Sequence, residues 1–315
     1  MTAPELGVAI ERWPVAGSFT IARGAKTHVD VVVATLTVDG LTGQGEATPI
    51  YYHGETAESV VAQLHAGGDL PRGAARNALD AARWDLRAKS TGRPVWALAG
   101  LAAPHPLHTA YTISLGDPDR MQADAAAAAP AYPLLKLKLA GEGDLARVAA
   151  VRAGAPDARL IVDANEAWTG RDVAAEAAAL VPYGVELIEQ PVRAGEDALL
   201  DGVNSPIPLC ADESCQDRTD LARCIGRYQA INIKLDKAGG LTEALALADA
   251  ARAAGLELMV GCMLSTSLGI APAMLVAQTA RWVDLDGPLL LARDRVPGVR
   301  FDGATVFPAD AALWG

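Results

Sequence analysis

From residue 108 onward, short apolar or β-branched runs alternate with Ala/Leu-rich stretches: "HTAYTIS", "LLKLKLA", "RLIVDAN", "VELIEQP", "PLCADES", "AINIKLD", "LELMVGC" and "WVDLDGP". With Thr109, Leu135, Ile161, Leu187, Cys210, Asn232, Leu258 and Asp284 as reference points, the steps are 26, 26, 26, 23, 22, 26 and 26 residues. Each step has room for a strand, a helix and two loops. Strands alternating with helices at this period predict a parallel sheet, and eight of them predict a closed (β/α)8 barrel. The rival, an open doubly wound sheet, lacks a GxGxxG after an early strand. The intervening segments, such as "RDVAAEAAALVPYG" and "TEALALADAARAAG", are rich in helix formers, and Gly184 and Gly255 stand where C′ glycines end helices.

Residues 1 to about 105 carry a different pattern. "HVDVVVATLTVDGLTGQGEATP" predicts two alternating strands joined by a turn at Asp39 and Gly40, and "AARNALDAARWDLRAKSTG" predicts an amphipathic helix ending at Gly92. This is an α+β module ahead of the barrel. After the eighth barrel strand, "VRFDGATVF" predicts one more strand, able to return to that module.

Composition narrows the class. A chain of 315 residues, 51% hydrophobic and with a net charge of −11, fits a soluble globular protein and argues against nucleic acid as a partner. "MTAPELGVAIERWPVAG" has no charged region followed by an apolar run, and no stretch reaches the roughly 18 apolar residues of a membrane span, so the expectation is cytoplasmic with no membrane partner. Cys210, Cys215, Cys224 and Cys262 form no CxxC pair and read as reduced core thiols.

Charge placement matters more. The chain has six lysines against 21 arginines, and four of the six (Lys136, Lys138, Lys234, Lys237) fall in two short motifs. Strand interiors disfavour charge, yet the second strand carries Lys136 and Lys138, the third Asp163, the fourth Glu189, the fifth Asp212, the sixth Lys234 and the eighth Asp284 with Asp286. Catalytic groups of (β/α)8 enzymes gather at the C-terminal ends of the strands. Asp163, Glu189 and Asp212 together suggest an oxygen-lined cation site suited to Mg2+; singly, each could be an acid capping the next helix. Lys234 lies across the barrel from Lys136 and Lys138, and crowding by cations and a metal would lower a lysine pKa towards the general-base range. The plainer alternative pairs each lysine with a neighbouring carboxylate. Two bases facing each other across one carbon suit 1,1-proton transfer. Asp284 and Asp286, at i and i+2 of a strand, share a face and call for a positive partner.

"KLKL", "VDANEAW", "IEQP", "ADES" and "INIKLDKAGG", in this order, resemble the enolase superfamily, specifically its muconate-lactonizing-enzyme subgroup, over essentially the whole chain. The resemblance implies an α/β protein: a modified (β/α)8 TIM-type barrel (residues 106–292) with an N-terminal α+β capping domain (1–105) completed by the tail (293–315). It also implies one Mg2+ per subunit, which stabilises the enolate formed when a base removes the proton α to a carboxylate. By resemblance Asp163, Glu189 and Asp212 are the metal ligands, Lys138 and Lys234 the acid/base pair, and Lys136 binds and polarises the substrate carboxylate. Asn165 and Glu213 stand behind the ligands. Mandelate-racemase-like members use a His–Asp base, but the histidines here are at 28, 53, 65, 105 and 108, none on a late strand.

"DLDGP" is similar to the Asp-x-Asp motif of the dipeptide epimerases, whose carboxylates bind the substrate's α-ammonium group. "FTIARGAK" places Arg23 in the loop that in this family closes over the distal end of the substrate, and it resembles the segment whose arginine binds a Glu side-chain carboxylate. Thr112 and the "GCMLSTS" loop around Met263 are expected to line the dipeptide pocket. The implied activity is epimerisation of a small dipeptide of the L-Ala-D/L-Glu type in murein peptide recycling, with a homo-oligomer compatible. Other reactions of the subgroup stay open: N-acylamino-acid racemisation, succinylbenzoate synthesis and muconate cycloisomerisation. So does a barrel that binds a small acid without catalysis.

Overall fold

The structure, a computed structural model, describes residues 4–21 and 24–315; Arg23 lies outside the described residues. Strands β1 (Glu5–Ile21), β2 (Gly24–Val38) and β3 (Leu41–Ala47) form an antiparallel sheet. The β2–β3 turn has φ of 49° at Asp39 and 82° at Gly40, the doubly positive pair a tight primed hairpin requires. β1 was not legible in the sequence. Its register against β2 shifts between Pro14 and Phe19, which breaks the strand into a long run, Glu5–Pro14, and a short one, Phe19–Ile21. Helices α1 (Ala57–Ala66) and α2 (Ala74–Thr91) cover one face, and α2 ends at Gly92 with φ of 64°. β3 packs unusually close to α2: a Cβ at Gly43 would lie 2.3 Å from the Leu86 nitrogen, and one at Gly45 would lie 2.3 Å from the Ala78 oxygen. Any larger residue there would push the helix away.

After the two-residue strand β4 (Leu107–His108) come the eight barrel strands. These are β5 (Tyr111–Ile113), β6 (Leu134–Lys138), β7 (Arg159–Asp163), β8 (Val185–Glu189), β9 (Leu209–Ala211), β10 (Ala230–Ile233), β11 (Glu257–Gly261) and β12 (Trp282–Asp284). They pair in sequence order, and every adjacent pair is parallel. β12 and β5 are joined by single bonds rather than a ladder: Ala110 N donates to Val283 O (2.7 Å) and Leu285 N to Thr109 Oγ1 (2.8 Å). Ala110, Leu134, Ile161, Leu187, Cys210, Ala230, Met259 and Trp282, one from each staves' beginning or middle, form a buried apolar floor inside the barrel. The charged residues stand above it.

The two short sequence steps now have a cause. Between β8 and β9 the chain makes only the turn Asp197–Leu200, and between β9 and β10 two short helical turns, Arg218–Asp220 and Leu221–Cys224. After β12 the turn Gly287–Leu290 stands where an eighth helix would be, so the barrel is a modified one. "VRFDGATVF" corrects the reading of a strand returning to the first module. It is a hairpin, β13 (Phe301–Asp302) and β14 (Thr305–Val306), turned at Gly303 and paired with β4. The chain end does reach α2: Trp314 Nε1 donates to Ala81 O (3.0 Å) and Gly315 N to Asp85 Oδ1 (2.9 Å).

Cap and barrel meet through buried polar groups. Glu46, at the end of β3, accepts Thr266 N (2.8 Å) and the Thr266 hydroxyl from the loop after β11. Arg295 bridges Glu46 and Glu11 at 2.7 Å each. No helix among the described residues is long and apolar enough to cross a membrane.

Candidate functional site

The C-terminal ends of the strands bring the charged residues into one buried array. Lys136 Nζ, 1% exposed, lies 2.6 Å from Glu189 Oε2, 2.8 Å from Asp284 Oδ2 and 3.6 Å from Asp163 Oδ2. Lys138 Nζ is 2.7 Å from Asp163 Oδ2, and Lys234 Nζ is 2.6 Å from Asp212 Oδ2 and 4.0 Å from Glu189 Oε1. Lys237 Nζ holds Asp212 by both its side chain (2.6 Å) and its carbonyl (2.5 Å), and also bonds the carbonyls of Cys215 and Asn232 (2.9 Å each). Against these four ammonium groups stand five buried carboxylates: Asp163, Glu189, Asp212, Asp284 and Asp286. The array has room for further positive charge.

The protein's own carboxylates act against the expected lowering at two of the lysines. Burial does pull Lys234 and Lys136 down, but the nearest charges are carboxylates rather than cations. Asp212 and Glu189 lift Lys234, and Asp284, Glu189 and Asp163 lift Lys136 well above its ordinary value. The carboxylates respond in kind. Burial opposes ionisation of Asp212, yet Lys234 and Lys237 hold it well below the usual range; for Asp163, Lys138 and Lys136 likewise outweigh burial. Glu189 moves the other way, raised by burial and by the charge of Asp163.

Asp163, Glu189 and Asp212 occupy consecutive strand ends β7, β8 and β9, with Asp163 paired in register to Glu189. Among the described residues no three acidic, histidine or cysteine side chains already converge as a ready cation cage; each of these acids turns an oxygen to a lysine instead. Their chemistry nevertheless fits a hard divalent cation: only oxygen donors, full burial, and a negative excess that keeps Glu189 raised. Behind them, Asn232 Nδ2 donates to Glu189 Oε1 (2.7 Å) and Asn165 N to Asp163 Oδ1 (2.9 Å), while Gln190 Oε1 accepts Asp212 N (2.8 Å) and Ser214 N (3.1 Å). Gly261 makes room: a Cβ there would sit 2.8 Å from Asn232 Oδ1. Asn165, Glu166 and Gln190 take positive φ of 42°, 70° and 38°, backbone strain of the kind that gathers at functional sites.

A cavity of about 270 Å3 lies between the barrel mouth and the cap. Lys138 and Lys234 line it from β6 and β10, opposite staves of the barrel, together with Asp212, Asn165, Glu213 and Met263. The cap contributes Phe19, Lys26, Thr48, Tyr51 and Tyr52. Lys26 was missed in the sequence although lysine is scarce. Its ammonium lies 4.9 Å over the Tyr51 ring, and burial lowers its pKa. Lys237 and Asn232, in "INIKLDK", and Gln190, in "IEQP", were also missed as parts of the site; these motifs give no sign of which backbone or carboxylate groups they reach.

Six predicted residues lie off this wall, among them the buried strand-end acids Asp163 and Glu189. Lys136, Asp284 and Asp286 are buried behind it, and Thr112 lines a neighbouring groove with Tyr111 and Tyr132. The two aspartates do stand together. Asp284 Oδ2 accepts from Lys136 Nζ, while its buried Oδ1 has no hydrogen-bond partner. Asp286 Oδ2 accepts Thr112 N (2.7 Å), yet burial and the charge of Asp284 push its carboxyl up to about 7.

Residues 120–290 match the enolase C-terminal domain-like family. The L-Ala-D/L-Glu epimerase of Escherichia coli (strain K12) is 44% identical over 306 residues, covering 92% of this chain and 95% of that one. An N-acetyl-D-glutamate racemase of Pseudoalteromonas sp is 48% identical over 246 residues, 78% of each chain. Among solved structures, an enolase family member from Agrobacterium tumefaciens with homology to dipeptide epimerases, described with bound sodium and L-Ala-L-Glu, superposes with a TM-score of 0.95 at 48% identity, covering 99% of this chain and 100% of that one. Solved dipeptide epimerases at 28 to 30% identity are complexed with Mg and a dipeptide.

Proposed function

The chain belongs to the enolase C-terminal domain-like family, and from that membership we propose that it is a Mg2+-dependent dipeptide epimerase of the L-Ala-D/L-Glu type. It inverts the α-carbon of the dipeptide's C-terminal residue. The observation that carries the reading is the placement of Lys138 and Lys234 on opposite walls of one cavity, beside three buried carboxylates. Asp163, Glu189 and Asp212 would hold the cation, which supplies positive charge opposite the substrate carboxylate as its α-proton leaves. One lysine takes the proton from one face and the other, charged, gives one to the opposite face. The roles exchange with the direction of reaction. Lys136, fixed between Glu189 and Asp284, would keep a positive charge behind the cavity wall for the substrate carboxylate.

Asp284 and Asp286 would receive the dipeptide's α-ammonium, which the unpartnered Asp284 Oδ1 and the raised Asp286 carboxyl both favour. A second reading, racemisation of an N-acylated glutamate, is favoured by the 48% identical racemase and leaves those oxygens without a cation. The distal carboxylate of a C-terminal Glu would meet Lys26 in the cap wall, with Arg23 as its neighbour in sequence. Replacing Lys26 by Ala is expected to lower kcat/KM for L-Ala-L-Glu about tenfold while sparing an apolar dipeptide such as L-Ala-L-Val. Competition assays on a mixture of the two check this, with Arg23→Ala alongside; an unchanged preference in both variants would remove them from the specificity argument. The reading extends to a cytoplasmic role in recycling murein peptides, with residues 1–105 and 293–315 as the cap and 106–292 as the catalytic barrel.

The deciding experiment is turnover of L-Ala-L-Glu in D2O followed by mass spectrometry. Each inverted product is expected to gain one deuterium at the α-carbon, and inversion with the original hydrogen retained would rule out the lysine mechanism. Chelation is expected to abolish the exchange and added Mg2+ to restore it; full exchange in a metal-free preparation would contradict the ligand assignment.

A further inference from the structure

Asp236 lies two residues beyond Lys234, on the short helix Leu235–Ala238 that leaves β10 and has Lys234 as its N-cap. Its carboxyl is buried and points away from the barrel, towards the cap. Both cap contacts go to one oxygen: Oδ1 accepts Thr48 N from the end of β3 (2.9 Å) and Asn77 Nδ2 from α2 (3.0 Å). Thr48 in turn donates its hydroxyl to Leu264 O (2.8 Å), in the loop after β11. Thr48, Leu264 and the following Tyr51 and Tyr52 are walls of the cavity into which Lys234 projects. Three elements of the cavity therefore meet at this one carboxyl or one bond away.

We infer that Asp236 is a positioning residue: it ties the cap wall to the helix that begins at Lys234, and so sets how a bound dipeptide is presented to that lysine. This rests on the epimerase reading. Cap and barrel are separate sheets whose backbones meet along β1, through the Val15–Leu291 bridge and the bonds from Ala292 N to Pro14 O and Leu115 N to Thr20 O; at the end of β3 and along α2 their spacing depends on side-chain bonds of this kind. Burial, with Glu46 and Glu55 nearby, pushes the carboxyl up to about 7, and the two bonds to Oδ1 need an acceptor oxygen rather than a full charge. The amide of asparagine offers the same oxygen, whereas alanine offers none. Loss of the acceptor would leave the Thr48 N–H buried without a partner and the Asn77 amide with only its long bond to Glu46 O (3.5 Å), and the wall would relax to satisfy them.

The test compares D236A, D236N and N77A with the wild type. In D236A, KM for L-Ala-L-Glu is expected to rise about tenfold with kcat within about threefold, because substrate placement and not the proton transfer itself is weakened. D236N is expected to restore KM to within about twofold. Hydrogen exchange of residues 46–52 is expected to quicken about tenfold in D236A and to return to the wild-type rate in D236N. A merely structural role would lower the melting temperature and the active fraction with KM unmoved. N77A removes one cap donor and leaves the barrel intact, so it carries the same comparison where D236A does not fold. An unmoved KM beside an active wild type overturns the inference alone; a wild type that exchanges no dipeptide α-hydrogen overturns the epimerase reading and this inference with it.

Discussion

Replacing Lys138 or Lys234 by arginine is expected to lower kcat for epimerisation by about 10³-fold while the protein stays folded. Arginine keeps the positive charge that Asp163 and Asp212 are built around but does not deprotonate in proteins, so it cannot serve as the base. Folding is further protected because each carboxylate keeps a second cation: Lys237 Nζ is 2.6 Å from Asp212 Oδ1, and Lys136 Nζ is 3.6 Å from Asp163 Oδ2. The pattern of isotope exchange is more telling than the size of the loss. With the lysines on opposite walls, each removes the α-proton of one epimer only. One variant is therefore expected to lose exchange from the L,L-dipeptide while still exchanging the L,D-epimer, and the other variant to show the mirror image. NMR of each pure epimer in D2O reads this directly. Equal loss from both epimers in both variants would show that the lysines act by charge alone; unchanged kcat would remove them from catalysis.

The charges that carry this argument were legible as anomalies of pattern. A period of 26 residues located the strands, and acids or lysines at matching heights of successive strands could only face the barrel mouth. The two short steps, 23 and 22 residues, correspond to the places where turns replace full helices. What the pattern could not give was the choice among counter-charges. Spacing puts Lys136, Lys138 and Lys234 near several carboxylates at once, and differences of an ångström decide the partners. Lys136 thus goes to Glu189 and Asp284, and the carboxylates around Lys136 and Lys234 raise the pKa of those two lysines. Side chains of the cap were harder still. Lys26 and Thr48 reach the cavity only because β2 and β3 are laid across the barrel mouth, a tertiary fact with no local signature. β1 was lost for a local reason, the interruption at Pro14.

Substituting Asp286 by asparagine is expected to move activity and stability in opposite directions. If the aspartate pair receives the dipeptide's ammonium, the amide removes half of a buried charge contact, and kcat/KM for L-Ala-L-Glu should fall about 10²-fold. N-acetyl-glutamate has no ammonium, so any activity on it should be unchanged, and parallel losses on both substrates would favour the N-acyl reading instead. The pH profile follows from the same group. The Asp286 carboxyl is pushed up to about 7 by burial and by Asp284, so in the free enzyme it is mostly protonated below that pH. Wild-type kcat/KM for the dipeptide should then fall as pH drops through about 7, reaching roughly a tenfold loss one unit below, and the fall should be absent in D286N. Stability runs the other way. A carboxyl whose folded pKa lies above its unfolded value of 3.8 makes the folded state bind the extra proton, so its contribution declines as pH rises from about 4 to 7. Above that window the ionised, buried group is a burden of at most about 4 kcal/mol. D286N should therefore melt several degrees higher than the wild type at pH 8 and match it near pH 3.5, where both states carry the proton. A lower melting temperature at pH 8 would mean that the attraction of Lys136 for the ionised carboxylate outweighs burial and the repulsion from Asp284, and that the pair is a structural feature rather than a site waiting for a cation.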